Sequence, residues 1–318
     1  MKKMVVFNVG GALCSYLSIG DNRTIVDLGK SESFNPVTDF LIPHFKKNGY
    51  ATDENGKYRV SQLLISHPHM DHISAILDFD KYCVPGLLTC PNDKKENKLG
   101  DRLDISKFDD ESDEVKKLRE MYRDRSLPLE EEIEYGDDDK QYLFYIRPGN
   151  VESDDMLSVD ECYQNNVSLV CLFVINGHRV LLPGDIMRNG MKKLLNDNRI
   201  IQKELRNHEL CILVAPHHGL KSSFPESLFN VIKGGRTRCL NIVSEKTNSP
   251  NDTRIVDPRY SKSDYCVGDN DLSSTNGSNA NCQRKTSQGH ICIDFTNASR
   301  PDICIINNTD ELIDWFAE

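Results

Sequence analysis

Three histidines and an aspartate, His67, His69, Asp71 and His72, fall within six positions directly after the apolar run Leu63-Leu64-Ile65. A loop leaving a strand tip points alternate side chains to one spot, which lets His67 and His69 converge on one metal ion. Asp71 and His72, one turn further on, face a second ion beside it. Imidazole and carboxylate suit zinc, manganese or iron, and gathering four of them is costly unless a cation offsets the desolvation. Two later strand ends carry the same residue types. Leu181-Leu182-Pro183-Gly184-Asp185 ends an apolar run in a carboxylate, and Ala215-Pro216-His217-His218-Gly219 places two histidines after an apolar stretch. Alone, Pro-Gly-Asp is a turn. Two other histidines read as structural. His44 shares a helical face with Phe40, Leu41 and Phe45, and His178 lies in the hairpin turn Asn176-Gly177-His178-Arg179.

The elements that must hold these residues are legible from their periodicity. A first strand covers 3–9 and Gly10-Gly11 makes a turn; a hairpin of 14–19 and 24–28 follows, closed by Asp27-Leu28-Gly29. A helix spans 37–48, the strand feeding the histidine loop comes next, and another helix starts at 73–77. Further strands fall at 142–147, 167–175, 180–182, 211–214, 240–243, 290–295 and 303–306, with a helix near 187–195 and a short one around 312–316. Strand tips in both halves carry His or Asp, as two sheets meeting at a shared site require. Two stretches differ. Residues 93–140 hold eighteen acidic and eleven basic side chains, a net −7 out of the chain's −10. A helix at 115–122 has few positions there for a core, so the segment reads as a solvated insertion, or else as a lid or a docking element for a protein partner. Residues 246–289, rich in Ser, Asn, Asp and Gly, read as one long loop with little regular structure.

A length of 318 residues fits a single domain, 1–318, carrying these two excursions. The acidic balance, with a pI near 5.4, excludes a global basic field that would bind nucleic acid over the whole surface. Eleven cysteines without CxxC pairs, many of them inside apolar runs (Cys83, Cys171, Cys211, Cys292, Cys304), read as buried free thiols. The opening Met1–Phe7 is too short for a signal peptide and no apolar stretch reaches membrane-spanning length, so the expectation is a soluble, cytoplasmic protein with no membrane partner.

The pattern His67-x-His69-x-Asp71-His72 after an apolar strand resembles the signature of the metallo-β-lactamase superfamily. That resemblance implies an α+β fold, the four-layer αββα sandwich of two β-sheets flanked by helices. It further implies that Asp185 bridges two divalent cations, Zn2+ or Mn2+, and that the last metal ligand is His217. His218 then faces the substrate or supports the ligands. Phe7-Asn8-Val9-Gly10-Gly11, Asn165-Asn166-Val167-Ser168, Leu182-Pro183-Gly184-Asp185, Pro216-His217-His218-Gly219-Leu220-Lys221-Ser222-Ser223 and Lys285-Thr286-Ser287-Gln288-Gly289-His290 are similar, in order, to motifs of the DNA-internalisation (competence) branch. The opening motif departs by lacking that branch's acidic residues, and the branch's transmembrane channel portion has no counterpart here, so only the soluble hydrolase module carries over. The superfamily's third histidine for the first metal is missing; Asn165 or Asn166 stands near its place. An amide oxygen is a weaker ligand than imidazole, which favours a looser, more oxygen-rich site.

The expected chemistry is metal-assisted hydrolysis, with Asp71 orienting the attacking water. The expected substrate is a phosphodiester in a nucleic acid or nucleotide. Asn166, Lys221, Ser222, Ser223 and Lys285, with Arg284, are the candidates to hold it, and His290 is either a general acid or simply the first residue of a strand. Competing expectations are a hydrolase of a small ester, thioester or lactam, and a non-catalytic metal-binding module that docks a partner.

Overall fold

The structure is a computed structural model, described here for residues 1–91, 112–125, 132–136, 139–146, 151, 163–232, 239–245, 255–262, 264–265 and 283–317. Its strands are β1 (Lys2–Val6), β2 (Ser15–Ile19), β3 (Asn22–Val26), β4 (Tyr58–Leu64), β5 (Cys83–Thr89), β6 (Glu132–Gly136), β7 (Asp139–Phe144), β8 (Val170–Ile175), β9 (His178–Leu182), β10 (Ile212–Val214), β11 (Leu240–Val243), β12 (Gln283–Lys285), β13 (His290–Asp294) and β14 (Asp302–Ile306). They form two seven-stranded sheets, ordered β14-β13-β1-β2-β3-β4-β5 and β12-β11-β10-β9-β8-β7-β6. Each sheet is mixed: β3, β4 and β5 run parallel in the first, and β9, β10, β11 and β12 in the second.

Alternation along the strands divides the apolar residues into three layers, because successive side chains leave a strand on opposite faces. Met4 and Val6 of β1 meet Cys171, Phe173 and Ile175 of β8 in a core between the sheets. Val5 and Phe7 point the other way, into a layer with helices, as do Leu172 and Val174 on the far side of the second sheet. Three stacked cores make the four-layer αββα sandwich expected from the sequence.

Helices α1 (Ile42–Lys47), α3 (Ile76–Tyr82), α4 (Asp113–Arg125) and α9 (Thr309–Ala317) contribute to the outer layer of the first sheet, while the short α2 (Met70–Ile73) belongs to the histidine loop. The one-turn α5 (Tyr163–Asn166) precedes β8, and α6 (Arg188–Asp197), α7 (Arg199–Asn207) and α8 (Glu226–Val231) cover the second sheet. The α7 helix, unannounced by the sequence reading, is capped by Asn198, whose side chain accepts from the N–H groups of Ile200 and Ile201 at 3.0 and 3.2 Å. A π-helical turn, Pro36–Leu41, leads into α1. His44 is fully buried there, stacked on Phe40 and in edge contact with Tyr16.

Three expectations need correction. The helix within 93–140 does join a core: Val115, Leu118, Met121 and Tyr122 of α4 are all buried in the first outer layer. Only its polar stripe is solvated; 93–111 and 126–131 lie outside the described residues. The end of 246–289 is regular, since β12 is the edge strand of the second sheet; 246–254 and 266–282 lie outside the described residues. His178 is not a turn residue but the first of β9, buried, with Nε2 3.0 Å from the Asn297 carbonyl. Among the described residues, no helix is long and apolar enough to cross a membrane.

Candidate metal centre

Parallel strands place their C-terminal ends along one rim. Asp27 follows β3, the histidine loop follows β4, Asp185 follows β9 and the His217-His218 pair follows β10. Backbone bonds lock these loops together. The Leu13 N–H donates to the Asp71 carbonyl (3.0 Å), Leu28 N–H to the His72 carbonyl (2.7 Å) and His217 N–H to the Gly184 carbonyl (3.1 Å). Two glycines permit the close approach. A Cβ on Gly29 would lie 2.3 Å from the Asp71 carbonyl oxygen, and one on Gly184, at φ +59°, 2.7 Å from Ser66 Cβ.

Asp185, 2 % exposed, is the centre of the arrangement. Its Oδ1 lies 3.2 Å from His72 Nε2, while Oδ2 lies 3.8 Å from both His67 Nε2 and His217 Nε2. His67 Nε2 is 3.0 Å from His69 Nδ1 on one side. On the other, Asp71 Oδ2 is 3.2 Å from His218 Nε2. One donor atom from each of Asp71, His72, Asp185 and His218 lies within 4.8 Å of the others. All six expected ligands, together with His218, therefore gather around one carboxylate. Within the doublet, His217 Nε2 faces Asp185 Oδ2 and His218 Nε2 faces Asp71 Oδ2. Both histidines of the doublet hold left-handed backbone, at φ 49° and 56°. For side chains bearing a Cβ this costs about 1 kcal/mol or more apiece, and it is what sends consecutive imidazoles to different sides.

The electrostatics ask for a cation. Among the described residues, the ion-pair partners of buried Asp185 are all histidines, and a buried carboxylate needs compensating positive charge. Burial opposes a charged His72, yet the Asp185 and Asp27 carboxylates outweigh it and raise its pKa well above the ordinary value. Burial would raise Asp185 and Asp71, but His72 chiefly holds the first, and the His218 hydrogen bond the second, well below the usual carboxylate range. Burial pushes His67, His69 and His217 down, towards the neutral imidazole that could bind a cation. His72 Nε2 makes no hydrogen bond despite the nearby Asp185 oxygen, whose direction is unsuited to one, and the buried His218 Nδ1 has no partner either. A divalent cation is the chemical species that such a mixed oxygen and nitrogen donor set fits.

Supporting contacts fix the rings. Asp27 Oδ2 lies 2.8 Å from His72 Nδ1 and accepts from Ser66 Oγ at 2.8 Å, which leaves His72 Nε2 facing Asp185. Ser66 Oγ is also 3.1 Å from His67 Nδ1, and Ser223 Oγ 3.1 Å from His217 Nδ1. Asp27 escaped the sequence reading, where it only closed a meander; its signal was a carboxylate ending the apolar stretch Thr24-Ile25-Val26.

Several proposed substrate contacts are placed elsewhere. Asn166 is fully buried, its amide oxygen accepting the Met187 N–H at 3.0 Å, so it anchors the loop after Asp185 and cannot reach a substrate. Asn165 Oδ1 is buried without a hydrogen-bond partner. Ser223 is buried behind His217. Lys285 donates to Glu245 at 2.8 Å, which neutralises it. His290 packs against Phe34 and Phe7, accepts from the Asn8 N–H at 3.1 Å, and is lowered by burial to about 4, which unsuits it to supply a proton near neutrality. Lys221 and Ser222 remain accessible on the rim.

No protein-family model and no curated protein matched the chain. Among solved structures it is similar to the metallo-β-lactamase fold protein YhfI from Bacillus subtilis, with 11 % identity over 78 % of this chain and 88 % of that one, at a TM-score of 0.40. It is also similar to Igni18, a metallo hydrolase from Ignicoccus hospitalis (10 %, 81 % and 88 %, 0.40). A third is an isothiocyanate hydrolase from Delia radicum gut bacteria (10 %, 80 % and 88 %, 0.40). Likenesses this remote carry no argument about activity; the four-layer architecture stands on this chain's own strand order and core layers.

Proposed function

We propose that the protein is a hydrolase using two divalent cations, Zn2+ or Mn2+, one on each side of Asp185, and that it cleaves phosphodiesters of nucleic acid or nucleotides. The observation that carries this is the division of ligands about one buried carboxylate. Oδ2 faces His67 and His217, with His69 alongside; Oδ1 faces His72, with Asp71 and His218 alongside. Bound there, such cations would supply Lewis acidity and lower the pKa of water. The chain's own residues do the rest. Asp71, 37 % exposed at its side chain and held by His218 at 3.2 Å, orients the attacking water. Asp27, Ser66 and Ser223 hold the imidazoles in register, and Lys221, on the rim beyond the doublet, is placed to meet a phosphate oxygen. The two aspartates and the sequence similarity to the competence branch favour a phosphodiester.

The test is metal content by mass spectrometry alongside turnover of bis-p-nitrophenyl phosphate. Wild-type protein should hold up to two ions per chain. Asp185→Asn should lower both occupancies, and His217→Ala and His218→Ala about one each. Chelation should abolish turnover, and Zn2+ or Mn2+ should restore it. Full activity in metal-free protein would overturn the proposal.

A further inference from the structure

Although the chain is acidic overall, α6 and α7, in the outer layer of the second sheet, together carry six basic and two acidic side chains. Both acids are already paired, Asp197 with Lys193 at 3.1 Å and Glu204 with Arg179 at 3.0 Å. That leaves Arg188, Lys192, Arg199, Lys203 and Arg206, all exposed and without an ion pair among the described residues. Their spacing is helical: i and i+4 on α6, then i, i+4 and i+7 on α7. Met191, Leu194 and Leu195 of α6 and Ile201 and Leu205 of α7 are buried against the second sheet, while the five basic side chains are exposed. The first stripe starts three residues after Asp185, where the Asn166 amide pins the Met187 N–H. It thus begins at the rim of the metal centre, where Arg188 and Lys192 span about 6 Å of α6.

We propose that this stripe binds the phosphate backbone of a single nucleic-acid strand and leads it to the Asp185 centre, making a polymer the substrate. The proposal rests on the phosphodiesterase reading. Five exposed cations on two consecutive helices, the first starting three residues after Asp185, match a chain of repeated monoanions. A lipid surface would call for exposed apolar side chains, of which these helices offer only Ile200. A net acidic protein can in this way take a polyanion on one face.

The experiment is fluorescence anisotropy of a labelled oligothymidine 20-mer titrated with the full chain as purified, at several NaCl concentrations. Five phosphate contacts should cost about 100-fold in affinity between 50 and 200 mM salt. Neutralising Arg199→Gln, Lys203→Gln and Arg206→Gln together should weaken binding at least ~10-fold at low salt and flatten the salt slope by about 2. The charge-matched control Lys46→Gln, Lys116→Gln and Arg119→Gln together, on helices of the other layer, should leave both unchanged. Should the triple variant misfold by circular dichroism, Arg188→Gln with Lys192→Gln takes its place. Absent binding, equal loss in the control, or equal competition by polyglutamate would each overturn the proposal. Cleavage is read separately on a gel. Binding without cleavage of polymer or small diester would sink the hydrolase reading alone, while cleavage of the small diester without oligonucleotide binding would sink the stripe alone.

Discussion

At the scale of single residues, the centre depends on a carboxylate that touches no candidate cation position directly. Asp27 is fully buried at a left-handed φ of 60° and lies 2.8 Å from His72 Nδ1. It fixes which ring nitrogen of His72 carries the proton and directs the other at Asp185. Asp27→Asn keeps the shape but removes the charge that favours this orientation. It should lower metal affinity about 10- to 100-fold while the protein stays folded, as read by competition with a chromogenic chelator. Unchanged affinity would mean that Ser66 and packing alone hold the ring. The cluster itself was legible because imidazoles and carboxylates rarely crowd a strand tip without a cation. Asp27 was not, because one aspartate after a strand is spelled like any turn. The doublet shows the same limit. Sequence marks His217 and His218 as important, but only their left-handed backbone reveals that they serve opposite sides of Asp185.

At the scale of elements, helical spacing set His44 apart from the ligating histidines, and its place bears this out. It is packed among Tyr16, Phe40, Phe45 and Phe316, with Asn48 Nδ2 3.0 Å from its Nδ1. Burial, aided by the nearby Arg23 charge, lowers its pKa from 6.5 to about 4. The unfolded chain then binds a proton that the folded chain refuses between those values. The stability from neutral His44 is fully present above about pH 6.5 and is lost as pH falls towards 4, on the order of 3 kcal/mol in all. Urea unfolding of wild type and His44→Phe at pH 7.5 and 5.0 should show the wild type losing more stability on acidification. Parallel losses would mean that the ring protonates freely in the folded state. Most strand positions were equally readable from apolar runs, but β5, β6 and β12 were not. The strand β12 was hidden because three residues, Gln283-Arg284-Lys285, carry no apolar alternation; their parallel pairing with β11 decides their conformation.

At the scale of the whole molecule, composition misled where it was averaged. Residues 93–140 hold most of the net negative charge, and the mean polarity of the segment suggested that it could be removed. Within α4, however, Val115, Leu118, Met121 and Tyr122 recur at helical spacing and are all buried against the first sheet with Ile76, Phe79 and Cys90. The charges between them occupy the other face, where Lys117 reaches Asp80 at 3.2 Å. Polarity averaged over forty-odd residues hides a stripe of four, whereas periodicity finds it. The same segment supplies β6, which pairs antiparallel with β7 at the edge of the second sheet. It therefore contributes to both halves of the sandwich. Replacing 93–140 by a short Gly/Ser linker should expose the apolar face that α4 covers and unpair β7, leaving little soluble, metal-loaded protein. A sharper test is Leu118→Ala, which removes a fully buried side chain and should cost about 2–5 kcal/mol. Asp113→Ala, whose carboxylate only approaches Lys116 at 3.7 Å on the exposed face, should change stability by less than about 0.5 kcal/mol. Denaturant midpoints compare the two directly. A soluble, metal-loaded deletion protein, together with a near-neutral Leu118→Ala, would show that the acidic segment is an appendage after all and that the two sheets hold the metal centre without it.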